Sequence, residues 1–99
     1  MQRISTESFL KFCKSLEGEV LHTIARRAKF TVKVVDDGLV FIPDSSNKPL
    51  SPHKRNYVER VLVDFAKSDG SNKTTHYNGY TVNASYQLAL IDKYRKFAL

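Results

Sequence analysis

Residues 30–42 form a β-hairpin by their own alternation. In Phe30-Thr31-Val32-Lys33-Val34-Val35, β-branched residues dominate, and Phe30, Val32 and Val34 alternate with Thr31 and Lys33. Successive side chains of a strand point to opposite faces, so this period of two marks a half-buried strand. Asp36-Asp37-Gly38 follows as the turn, because Asp-Gly tolerates the positive φ that a tight hairpin requires. Leu39-Val40-Phe41-Ile42 returns as the partner strand, and Pro43 ends it by removing a donor.

The flanking segments have a helical period instead. Phe9, Phe12, Cys13 and Leu16 fall at i, i+3, i+4, i+7 and predict a helix over 6–16. Ser5 or Thr6 caps its start, and Gly18 lies just past its end. A second helix is expected with Ser51 as its cap and Pro52 at its first position. Its stripe is Val58, Val61, Leu62 and Phe65, and Ser68-Asp69-Gly70 terminates it. The last helix runs from near Asn83 to about Phe97, with Tyr86, Leu90, Tyr94 and Phe97 on one face and Leu88 and Ile91 adjoining. Residues 19–25 satisfy two patterns. Leu21, Ile24, Ala25 and Ala28 match a helical stripe, whereas Val20, His22 and Ile24 match a strand face, which Gly18 and Phe30 on either side favour. The fold class is therefore α+β: an N-terminal helix, a small antiparallel sheet of two or three strands, and two C-terminal helices packed on one face. Ninety-nine residues make one domain, spanning 1–99.

Composition narrows the function classes. Sixteen Lys+Arg against ten Asp+Glu give +6 with His neutral. That balance favours a polyanionic partner, nucleic acid before an anionic membrane, although an ordinary solubility charge has the same size. The single Cys13 excludes an intramolecular disulfide framework and a multi-Cys zinc site, and fits a reducing compartment. There is no apolar run of membrane-spanning length, and the start Met-Gln-Arg-Ile-Ser-Thr-Glu has no apolar signal core. The expected location is cytoplasmic.

Three regions are candidates for anion contact. In the first, Lys48 precedes the helix start Pro52-His53-Lys54-Arg55, which has no acid until Glu59. Cations at the positive end of a helix dipole are unfavourable unless an anion sits there, so Lys48, His53, Lys54 and Arg55 become candidate phosphate ligands. A solvated turn with screened charges is the plainer alternative. The second region is Arg26-Arg27-Ala28-Lys29. If these residues turn a hairpin, Arg26, Arg27 and Lys29 form a basic tip that can straddle phosphates. The same residues would otherwise be the solubilising charge that edge strands carry. The third region, residues 71–80, collects hydroxyls, amides, Lys73, His76, Tyr77 and Tyr80, which can contact phosphate oxygens or stack on an unpaired base. Its alternative is an ordered loop whose tyrosines pack on the core rim.

Catalytic signatures are missing from the pattern. His22, His53 and His76 lie far apart, Cys13 falls on an apolar helix face, and Asp44 with Lys48 is the one local candidate for the acid–lysine cluster of a two-carboxylate nuclease site. No enzyme activity, metal or cofactor is expected. Lys93, Arg95 and Lys96 suit the carbonyl end of the last helix.

The segment order Phe30-Thr31-Val32, a second short strand, Pro43-Asp44-Ser45-Ser46-Asn47-Lys48, a helix, then Asn83-Ala84-Ser85-Tyr86-Gln87-Leu88-Ala89-Leu90 resembles small hypothetical proteins of bacterial genomes and mobile elements. Integron gene-cassette products are one example. The likeness covers roughly residues 18 to 92 and implies a bacterial, phage or cassette origin. It contributes no functional residue.

The expectation is a small basic nucleic-acid-binding protein, DNA first, without enzymatic activity. Its rival is a protein-interaction module such as an antitoxin, an immunity protein or a complex-modulating subunit, binding through Tyr57, Tyr77 and Tyr80. A strand at 39–42 left as a sheet edge would open a route to a sheet-extended homodimer.

Overall fold

The computed structural model describes residues 2–98. Its elements follow in the order α1 (Thr6–Ser15), β1 (Leu21–His22), β2 (Lys29–Val35), β3 (Gly38–Pro43), α2 (Arg55–Lys67), a 3-10 turn (Thr74–His76) and α3 (Ala84–Ala98). The three strands form one antiparallel sheet in the order β1-β2-β3. The helices lie on one face of it, which is the α+β arrangement that the patterning predicts.

Local chemistry explains α1. Ser5 caps it, its hydroxyl accepting from the Ser8 amide at 3.4 Å, and Glu7 sits in the first turn. Gly18, just beyond the end, takes φ +88, a conformation that other residues rarely adopt. Phe9, Leu10, Cys13 and Leu16 are buried. Phe12 meets Tyr94 and Phe97 of α3 edge-on and tilted, with ring centroids 5.4 and 4.9 Å away.

The hairpin pairs Val32 with Phe41 and Val34 with Leu39, so Phe30, Val32, Leu39 and Phe41 share the buried face. The turn differs from the Asp-Gly expectation. Positive φ falls on Asp36 (50) and Asp37 (62), the two central residues, and Gly38 is already in the strand opposite Val35. Gly38 is required for another reason. A Cβ there would lie 2.8 Å from the His53 carbonyl oxygen, because residue 53 runs alongside β3.

That close passage corrects two expectations. The outer side of β3 is not a free edge: the Leu39 amide donates to His53 O at 2.9 Å, the His53 amide donates to Leu39 O at 2.7 Å, and the Leu50 amide donates to Phe41 O at 2.9 Å. The sheet-extended homodimer therefore loses its template at 39–42. Because residues 50–53 pair with β3, the chain stays extended past Ser51 and Pro52. The helix begins at Arg55, with Lys54 at the cap position and no side-chain cap bond. Further along, α2 buries Val58, Val61, Leu62 and Phe65, the expected stripe.

The segment 19–25 resolves as a strand of two residues, with Leu21 paired to Phe30 and His22 to Lys29. The inward face of α3 is rotated from the one its aromatics suggest. Ala84, Gln87, Leu88 and Ile91, at i, i+3, i+4, i+7, are buried together with Leu90 of the expected face, whereas Tyr86 and Tyr94 are half-buried and Phe97 is exposed. A glutamine on the buried stripe is what hid it. Gln87 is 0% exposed, and its side-chain amide donates to Val58 O of α2 at 2.9 Å. Its Oε1 accepts from His53 Nε2 at 2.6 Å, so Gln87 links the helices to the strand-like segment beside β3.

Candidate functional site

Two loops on either side of the start of α3 enclose a concavity. The first, residues 23–28, joins β1 to β2 and is organised by Thr23. The Thr23 amide donates to Ala28 O at 3.0 Å, its carbonyl accepts from the Arg27 amide at 3.1 Å, and its hydroxyl accepts from the Ala28 amide at 3.0 Å. Three bonds to one buried side chain and its backbone fix the loop, and they hold Arg27 at φ 57. The second loop, residues 68–83, is pinned by Tyr77. Its ring is buried and its hydroxyl donates to Ser71 O at 2.8 Å. Burial pushes the Tyr77 phenol up from its ordinary value, so it remains a neutral donor.

Between the loops lies a cleft of about 320 Å³. Thr23, Ile24 and Arg26 line it from the first loop, and Asn72, Thr74 and Asn78 from the second. Val82 stands at its rim, 86% exposed, and Ser85 and Tyr86 contribute the first turn of α3. No Asp or Glu lines the cleft, and the first turn of α3 has no acid either. An anion entering it meets a guanidinium, amides and hydroxyls and no opposing carboxylate.

The candidate residues divide sharply. Arg26 lines the cleft, Arg27 and Lys29 sit on the same loop and at the start of β2, and Lys73 lies between the lining residues Asn72 and Thr74. These four are exposed, and none of them takes part in an ion pair among the described residues. Lys48 is exposed on the loop after β3, which leaves from the same end of the sheet, where the Asp44 amide donates to Lys29 O at 2.9 Å. His76 is exposed on the 3-10 turn.

At the helix start that the charge pattern singled out, two of the four candidate phosphate ligands, His53 and Arg55, are engaged within the fold. His53 is 1% exposed, with its ring between Phe41 and Tyr57, and is sealed against any anion from solvent. Burial lowers its pKa, and the bond to Gln87 opposes that shift. Gln87 Nε2 is committed to Val58 O, so Gln87 Oε1 can only accept and His53 Nε2 carries the proton. Arg55 pairs with Glu7 of α1. The acid absent from the first turn of α2 is thus supplied by another helix, which removes the electrostatic reason for an external anion. Lys54 is left as a single exposed cation.

Tyr77 and Tyr80 are also withdrawn from base contact. Tyr77 is in the core. The Tyr80 hydroxyl donates to Asp64 Oδ2 at 2.8 Å and the Arg60 guanidinium lies 3.8 Å from its ring centre, so both its polar tip and one face are occupied. Burial first, then Asp64, raises the Tyr80 phenol well above its ordinary value.

Cys13 is wholly buried, and burial pushes its thiol up to about 12, so it behaves as a small apolar side chain at neutral pH. Among the described residues no group of three or more His, Cys, Asp or Glu is placed to hold a metal ion, and no helix is long and apolar enough to cross a membrane.

Residue-by-residue reading of the sequence did not single out Asn72, Thr74 and Asn78 within the polar stretch 71–80, and it missed Ser85 and Gln87. The first three stand in a stretch whose hydroxyls and amides are visible, but nothing local tells which of them face Arg26. No protein-family model, curated protein or solved structure matches this chain.

Proposed function

We propose that the protein binds nucleic acid without enzymatic chemistry, making phosphate contacts through Arg26, Arg27, Lys29 and Lys73. One observation supports this above the others. At the start of α2, His53 is buried and Arg55 pairs with Glu7, whereas these four exposed cations take part in no ion pair among the described residues and sit on or next to the loops that line the acid-free cleft. These four account for part of the +6 charge, and phosphate contacts of this kind position a nucleic acid without reading its sequence. Lys48 extends the footprint along the same end of the sheet. An origin in a mobile element belongs to the proposal on the resemblance alone.

Fluorescence anisotropy with labelled duplex DNA, single-stranded DNA and RNA at about 50 mM salt tests it, since counterion release helps most there. Binding is expected to weaken with salt on a logarithmic slope of about −3 to −4, as four phosphate contacts require. The triple variant R26A/R27A/K29A should flatten that slope. Absence of binding to all three probes overturns the proposal.

A protein partner is the second reading. It is favoured by Val82, 86% exposed at the cleft rim beside the partly exposed Ile24.

A further inference from the structure

The shape of the cleft goes beyond the charge around it. A duplex is read by elements that protrude into a groove, an α-helix or a β-ribbon. Here Arg26 lines a concavity together with Asn72, Thr74 and Asn78, and Lys73 lies between two of the lining residues. Duplex bases are stacked and paired, so the part of a nucleic acid that enters a concave site is an unpaired nucleotide.

The dimensions and chemistry agree. About 320 Å³ is at the small end of ligand pockets, enough for one nucleotide unit and not for a stack. Ile24 and Val82 offer apolar surface to the flat of a base, and Asn72 and Asn78 carry both donors and acceptors for its edge. Arg26 supplies the cation for the adjoining phosphate. With no carboxylate in the lining, that phosphate meets no repulsion.

Resting on the nucleic-acid reading above, we infer that the cleft takes one unpaired nucleotide of a single strand, with Asn72 and Asn78 on the base edge and Arg26 on its phosphate. The chain contains no Trp, so V82W places a sole indole at the exposed rim of the cleft. The test is titration of V82W, and of the native protein by anisotropy, with short oligo(dT) and with a duplex of the same length. Oligo(dT) is expected to bind about tenfold more tightly than duplex and to quench the V82W emission, as base stacking on an aromatic ring does. N72L/N78L, at two exposed positions, should lose about tenfold in oligo(dT) affinity while keeping the duplex affinity and the salt slope.

Equal affinity for the two probes, no quenching, and no effect of N72L/N78L overturn the inference. If R26A/R27A/K29A still weakens binding and flattens the salt slope in that case, the phosphate reading survives and only the cleft assignment fails. Failure of every probe to bind overturns both.

Discussion

Replacing Gln87 by Leu tests whether the buried bond between α3 and residue 53 specifies the way the helices meet the sheet. Gln87 is 0% exposed and satisfies two groups at once, His53 Nε2–H and Val58 O. Leucine nearly conserves the volume and adds apolar surface, but leaves a ring N–H without an acceptor in a site that excludes water. An orphaned buried donor costs about 1–3 kcal/mol. The Val58 carbonyl retains its helical partner, so its loss is the smaller part. The expected cost is about 2 kcal/mol, a large share of the stability of a domain this size. Urea unfolding followed by circular dichroism at pH 8, where His53 is neutral in both states, should show the midpoint falling by about 1–2 M. The double variant H53F/Q87L removes both polar partners, and apolar replacement of both is far milder than removal of one. It should therefore be more stable than the sum of the single variants implies. A cost below about 0.5 kcal/mol for Q87L, or strict additivity in the double variant, refutes the assignment of the bond as a structural determinant.

Other outcomes follow from the same contacts. His53 has its pKa lowered by burial, so below about 6.5 the unfolded chain takes up a proton that the native state refuses. Native stability should be level above that pH with respect to this group and fall as pH drops toward the folded pKa, by at most about 1.4 kcal/mol per pH unit, and H53F should remove that component of a urea–pH series. G38A drives a Cβ to 2.8 Å from the His53 carbonyl, so thermal unfolding should show a loss of about 1–3 kcal/mol as β3 and residue 53 separate. E7Q breaks the pair with Arg55, but Glu7 is 77% exposed, so the change in unfolding midpoint should correspond to no more than about 1 kcal/mol and shrink with added salt. Native Cys13 should resist a thiol reagent such as 5,5′-dithiobis(2-nitrobenzoate) and react only as the chain unfolds.

What the sequence alone determined was local. Alternation set the hairpin at 30–42, and i, i+3, i+4, i+7 spacing set the buried stripes of α1 and α2, because a period is a property of neighbouring residues and needs no distant partner. Tertiary structure decided the rest. The extended run through Ser51 and Pro52 follows from pairing with β3, against the capping signal those residues carry. The inward face of α3 turns on Gln87, a polar residue whose burial is affordable only because His53 and Val58 meet it there. The charge anomaly at the start of α2 was legible, but its resolution by Glu7, 48 residues away, was not. The cleft likewise joins Arg26 to Asn72 and Asn78, which have no shared period. Only the docking of two loops against α3 brings them together, and that depends on long-range packing that no local pattern encodes.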